Sequence, residues 1–410
     1  MSAKTRLGMM MFLQYAIWGA WAPVLSSYLI NNLGFSGGQV GWIYALLPLA
    51  TIVSPFVGGQ LADRYFSSER VIGTLSFAGG ILLIVVARTT DFGAMAALML
   101  VYCLVYAPTL ALTNSIAMIN LEDSERDFGT IRVWGTLGWI AAGLLLTGWR
   151  WAGDNGTALT LQGDMLLLAG VLSIVMGVQS FTLPHTPPVK EGVKPWAFLE
   201  SLKMLKVTDF AVFVGITFVV ATELEFYYIL TAPFLESDAI GVSSTNVPAV
   251  MTVAQFAEIF VMAFLLSRFL KQYGMRKTLA IGVIAWPIRY IIFAIGSPPW
   301  LVIASLALHG FCYVFFFVAA FIYVDKVAPP DIRASAQSLI AIVALGLGRF
   351  CGSLFAGKIR DVFTAAGVTN WTYVFLVPCA LTVLCAVAFL LFFREESGAT
   401  VAENTVGRDR

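Results

Sequence analysis

Apolar runs of about 20 residues recur along this chain, and they limit its fold more than any other feature. A helix crossing a hydrocarbon layer of about 30 Å needs that length, and no water is present there to satisfy backbone groups, so only helices or closed barrels can span it. Runs this long specify helices. They are expected near residues 8–30, 39–62, 71–87, 93–119, 129–149 and 162–183, and again near 209–233, 246–267, 278–296, 299–324, 334–357 and 370–393. The first run is too long for a signal-peptide core and lacks a small-residue cleavage pattern, so it reads as a retained helix. Composition agrees: of 410 residues 59% are hydrophobic and 12% charged, about half the charge of an average soluble domain.

The runs form two sets of six, within residues 1–183 and 208–394. Between them, over 184–207, Pro184, Pro187, Pro188 and Pro195 alternate with His185, Lys190, Glu191, Lys194, Glu200, Lys203 and Lys206, the pattern of a polar linker. Residues 395–410 form a polar tail. Each half closes its second run on a basic turn, Gly59-Gln60-Leu61-Ala62-Asp63-Arg64 in one and Ser267-Arg268-Phe269-Leu270 in the other. Parallel six-helix repeats are the architecture of the major facilitator superfamily, whose solute site lies near mid-membrane between the halves, and Gly59 to Arg64 resembles its signature loop. The expected fold class is an all-α integral membrane protein with twelve transmembrane helices in two six-helix pseudo-repeats. Asp63, Arg64, Arg268 and Arg333 lie at helix ends and suit gating or packing rather than solute contact.

Basic residues in the short connections set the orientation. With both termini cytoplasmic, that side holds Lys4, Arg6, Arg64, Arg70, Arg126, the linker lysines, Arg268, Lys271, Arg276, Lys277, Lys326, Arg333 and Arg394. The opposite side holds only Arg88, Arg150, Lys358 and Arg360. Such an asymmetry supports an even number of spans.

A charge at mid-bilayer costs from about 3 kcal/mol upward, so an ionisable side chain inside a span marks a candidate site. Glu223 and Glu225 fall in the seventh run, Glu258 in the eighth, and Arg132, Arg289 and Arg349 in the fifth, ninth and eleventh. Residues three or four apart share a helix face, which groups Arg132 with Thr136 and Trp139, Glu225 with Tyr228, Gln255 with Glu258, and His309 with Tyr313. Glu223, two residues from Glu225, must point elsewhere. Interhelical pairing explains Arg289, Arg349 and Glu223 as readily as function does, whereas Arg132, Gln255 and Glu258, unlike groups on separate helices, suit a polar ligand. His309 can carry protons at physiological pH or hydrogen-bond a solute. Trp149 and Trp151 fit an interfacial belt, and core packing accounts for most other aromatic residues. Cys103, Cys312, Cys351, Cys379 and Cys385 all lie in apolar runs without a CxxC pair or a clustered set of metal ligands, so they read as packing residues and no metal site is expected.

Along nearly its whole length the chain resembles the bacterial nucleoside:proton symporters of the major facilitator superfamily, the nucleoside and xanthosine permeases. The marks are Phe12-Leu13-Gln14, Trp18-Gly19-Ala20-Trp21, Pro108-Thr109-Leu110, Ile131 to Thr136, Gln255 to Glu258 and Ile332 to Gln337. The resemblance implies proton-coupled import of a nucleoside-like solute across a bacterial cytoplasmic membrane by a monomer, with no cofactor. It carries solute contacts over to Arg132, Thr136, Gln255 and Glu258, with Trp139 and Tyr313 in place of other aromatic residues. Glu225 and Tyr228 stand where the family shows Gln and Asn, and His309 and Val314 where it shows Tyr and Asp. With that acid absent, the proton-coupling group is expected at Glu225, the other candidates being Glu258, Glu223 and His309. Glu258 and Gln255 would meet ribose hydroxyls, while Trp139, Tyr313 or Tyr228 would pack on the base.

A free sugar or polyol is the nearest transport alternative, needing the carboxylate and amide but less aromatic surface. A membrane receptor or scaffold is the reading from another class, although only a short linker and tail are available to it. Enzyme chemistry finds no HExxH and no clustered His/Cys ligands, and a primary pump would need a GxxxxGK[ST] phosphate loop that is missing. A net charge of +1 offers nothing to nucleic acid.

Overall fold

The computed structural model describes residues 2–64, 66–154, 163–187 and 198–394, excluding the side chains of 55–64, 124–125, 154 and 198. The middle of the expected linker, the polar tail and the side chains of Asp63 and Arg64 lie outside the described residues. The helices are α1 (Ala3–Trp21), α2 (Gly37–Arg64), α3 (Ser68–Val86), α4 (Phe92–Ile119), α5 (Ser124–Asp154), α6 (Asp164–Ser180), α7 (Thr208–Glu236), α8 (Val247–Phe260), α9 (Ser267–Ile295), α10 (Pro299–Val327), α11 (Arg333–Val362) and α12 (Trp371–Phe392). Among the described residues, nine helices are long and apolar enough to cross a membrane. One of these, Val247–Ile295, contains a break at Gly274 (φ 78, ψ 174), while α6 has only 17 residues and α1 opens on Lys4 and Arg6.

Local chemistry sets the ends. The Ser2 hydroxyl accepts from the Thr5 N–H at 3.2 Å and the Asp91 carboxylate from the Ala94 N–H at 2.8 Å, each satisfying a donor that the first turn leaves open. Helix α1 stops at Trp21, just before Pro23, which has no N–H to give; the expected first span, 8–30, is in fact α1, a break, and a second short helical stretch reaching Asn32. The second run of the C-terminal half, expected to end at 267, continues helically as far as Gly274, so Arg268 lies within a helix and not at its end. A two-residue hairpin, Thr364–Ala365 with Thr369 and Val368, joins α11 to α12 through Ala366 (φ 50) and Gly367 (φ 81), the pairing of left-handed residues that a tight hairpin turn demands.

Two compact units emerge. The first comprises Met1–Gly192 and Tyr228–Thr252, the second Val193–Tyr227 and Val253–Arg410. Residues 228–252 thus group with the N-terminal helices. Arg150 explains much of this: it donates twice to Asp164, at 2.7 and 2.8 Å, and once to the Ser244 carbonyl at 2.7 Å. Thr147 Oγ1 accepts from the Ala249 N–H at 3.0 Å, and Glu236 accepts from Ser27 and Asn31.

Linker residues also have fixed partners. Glu69 accepts from the Thr186 N–H at 3.0 Å and lies 2.9 Å from His185 Nδ1, while in the second unit Met204 is fully buried and Ser201 donates to the Ser335 carbonyl. Pro184–Pro187 and 198–207 are therefore docked rather than free polar linker.

Small residues let helix backbones meet, as apolar association in lipid requires. A Cβ at Gly138 of α5 would fall 2.0 Å from the Phe12 carbonyl oxygen of α1, and one at Gly352 of α11 would fall 2.3 Å from the Thr222 oxygen of α7. Neither backbone can yield easily. Gly148, also in α5, has open space around its Cα. Gly138→Ala should cost about 1–3 kcal/mol and lower the unfolding temperature in detergent, with Gly148→Ala near neutral; equal effects would contradict this packing.

Candidate functional site

Within the second unit, polar and aromatic residues from α7, α8 and α10 form one cluster. Gln255 and Glu258, one turn apart on α8, lie near the hydroxyl of Tyr227 from α7. The Tyr227 ring stacks on His309 with centroids 4.6 Å apart, and His309 stacks on Tyr313 at 5.6 Å. Gln255 and His309 are buried, Glu258 and Tyr313 half-buried. Helix geometry adapts at these positions: Val261–Leu266, Tyr313–Val318 and Ile342–Leu347 are wide π turns, a form concentrated at functional sites because the extra residue re-aims neighbouring side chains.

His309 also meets Arg289 of α9, whose Nη1 is 3.3 Å from His309 Nδ1. Arginine nitrogens only donate, so Nδ1 must be an acceptor and the ring proton belongs on Nε2. Arg289 is fully buried, its Cζ 4.4, 4.5 and 5.3 Å from the ring centroids of Trp286, Tyr227 and Tyr290. Such an aromatic cage stabilises a desolvated guanidinium.

In the first unit, Arg132 extends over the Tyr15 ring at 4.0 Å. Gly135 makes room for it, since a Cβ there would fall 2.7 Å from Tyr15 and 2.8 Å from Arg132 Nη1. Thr136 is half-buried one turn along α5. Trp139 packs edge-on against Trp18 at 5.4 Å and lies 6.3 Å from Tyr228. An apolar crevice lined by Gly19, Pro23, Trp139, Gly143, Pro248 and Thr252 adjoins this set.

Glu225 has partners within the second unit. Its carboxylate, almost fully buried, accepts from Arg349 Nε and, at 3.1 Å, from Ser353 Oγ, both on α11. Tyr228, one turn along α7, lies against Trp139. Glu223 is fully buried within range of the Arg289 charge. Arg268 and Arg333 are exposed, Arg333 3.9 Å from Asp325. Tyr15 and Tyr227 escape a reading based on charged residues alone, although Tyr227, adjacent to Tyr228 and two residues from Glu225, stands in a run of polar positions on α7.

The Glu225–Arg349 pair makes a stability prediction. Arg349→Ala leaves a buried carboxylate uncompensated and should cost about 3–5 kcal/mol, whereas replacing both residues by Leu should recover most of that loss. Thermal unfolding in detergent would decide; a double variant as unstable as the single one would show that the pair carries no mutual energy.

Comparison with known proteins then fixes the family. A family model described as nucleoside H+ symporter matches residues 1–398. YegT of Escherichia coli (strain K12) is 38% identical over 100% of this chain and 98% of its own. Nucleoside permease NupG and xanthosine permease of the same organism are each 30% identical, over 96% of this chain and 96% of theirs. The crystal structure of NupG superposes with a TM-score of 0.85 at 28% identity, covering 96% of this chain and all of that one, and a D-xylose–proton symporter with 13% identity and a TM-score of 0.75 shares the fold. With a major facilitator fold and a family match across nearly the whole length, the chain belongs to the nucleoside H+ symporter family and is a secondary transporter.

Proposed function

We propose that this transporter imports a nucleoside together with a proton, through a cytoplasmic membrane that it crosses twelve times with both termini inside. Alternating access by the bundles 1–183 and 208–394 would do this as a monomer. The observation that carries the substrate reading is the second unit's cluster: a carboxylate and an amide on one helix face, Glu258 and Gln255, beside a three-ring stack of Tyr227, His309 and Tyr313. Paired ribose hydroxyls suit the first, and a planar base suits the second. The family description and the names of NupG and the xanthosine permease support the same class of solute.

In this reading Arg132, Thr136, Trp139 and Tyr228 of the first unit contribute further solute contacts. Arg132 can leave the Tyr15 ring to meet a polar atom, because a cation–π contact at a half-exposed site is worth only about 0.5–1 kcal/mol. Glu225 serves structure, held by Arg349 and Ser353. Asp63, Arg64, Arg268 and Arg333 would serve gating or helix packing.

Reconstituted protein should accumulate a labelled nucleoside under an inward proton gradient, and excess unlabelled sugar should not compete. Competition by sugar with no nucleoside uptake would favour the sugar or polyol reading. Glu258→Gln and Arg132→Ala should each weaken nucleoside binding about 5- to 150-fold, the equivalent of about 1–3 kcal/mol, while the protein stays monodisperse. Unchanged affinity in both variants would remove these residues from the site.

A further inference from the structure

Glu223 is fully buried in α7, and neither of its carboxylate oxygens has a hydrogen-bond partner among the described residues. Its nearest fixed elements come through the backbone: the Tyr290 hydroxyl donates to the Glu223 carbonyl at 2.5 Å. The titratable and charged groups its carboxylate acts on, or that act on it, are Arg289 and Tyr290 of α9, Cys312 of α10, and Cys379 and Cys385 of α12. Arg289 is the one cation among them. Its Nε and Nη2 also lack hydrogen-bond partners, and its Nη1 is spent on His309. Structural ion pairs in apolar interiors close their hydrogen bonds, as Glu225 does with Arg349; a carboxylate left without them in the same helix is built for something other than holding helices together.

Resting on the proton-symport reading, we infer that Glu223 holds the transported proton, and that Arg289 relays its presence to the solute cluster through His309. The guanidinium keeps its charge throughout. With Glu223 ionised, the two charges balance. A proton taken from the aqueous phase converts the carboxylate to the neutral acid and leaves Arg289 without its opposite charge, so more of its field falls on His309 Nδ1, the acceptor of its Nη1. Polarised in this way, the imidazole becomes a stronger donor at Nε2, on the ring that stacks with Tyr227 and Tyr313. A solute acceptor at Nε2 therefore binds more tightly when Glu223 is protonated, and by reciprocity bound solute favours the protonated acid. Release of solute weakens that preference and returns the proton to water. His309 itself is not the carrier, since an imidazolium has no acceptor to offer Arg289.

The sign of the effect is testable. Nucleoside affinity of the parent should fall as pH rises through the titration of Glu223, and Glu223→Gln, which fixes the neutral state, should bind with no such pH dependence. In the same proteoliposomes Glu223→Gln should exchange labelled for unlabelled nucleoside at a rate close to the parent's, yet under a proton gradient the inside and outside concentrations should only equalise. Because that variant leaves a buried cation alone, Glu223→Gln/Arg289→Gln, which carries neither charge, provides a second test: it should bind nucleoside more weakly than Glu223→Gln, with no pH dependence, and should not accumulate it. Accumulation by either variant overturns the inference. So does a monodisperse Glu223→Gln protein that loses exchange along with accumulation, since the carboxyl would then serve binding or packing. A parent that neither exchanges nor accumulates nucleoside would instead refute the substrate reading.

Discussion

Placing a charge where there is no water costs several kcal/mol, and the interior of this protein is arranged around the few places where that cost is met. Three solutions coexist. Glu225 and Arg349 close a conventional pair with help from Ser353. Arg289 is surrounded by aromatic faces and bonded to a histidine. Arg132 borrows a single tyrosine ring on a half-exposed face. Only the first resembles a structural tie.

Everything around these groups is apolar packing at short range. Backbone contacts at Gly138 and Gly352 bring helices close enough for dispersion to replace the hydrophobic effect, which lipid does not supply. Close-packed glycines and wide turns divide the labour: the former hold α1 on α5 and α7 on α11, while the three π turns, Val261–Leu266, Tyr313–Val318 and Ile342–Leu347, contain or come within three residues of Glu258, Tyr313 and Arg349.

Much of this was legible in the sequence because the bilayer enforces a simple code. Long apolar runs marked the helices, and i, i+4 spacing joined His309 to Tyr313, whose rings stack. Spacing failed where it had to choose a partner across space. Glu225 and Tyr228 do share a spacing, yet one meets Arg349 and the other Trp139, a distinction no single-helix pattern contains. The helix break at Gly274 and the positive φ there were invisible for a related reason, since an apolar run reports length and not continuity. Tyr227 was passed over because an aromatic residue in a membrane helix is usually packing; its place beside Gln255, Glu258, His309 and Arg289 is a property of three dimensions.

The central claim is that solute and proton move together through one protein. Adding nucleoside to the outside of weakly buffered, pH-equilibrated proteoliposomes tests it without any imposed gradient, because uptake must then draw protons from the medium. The account predicts that the external solution becomes more alkaline on nucleoside addition, in proportion to the nucleoside taken up, and that a protonophore abolishes the change. Nucleoside entry with no movement of external pH would contradict it.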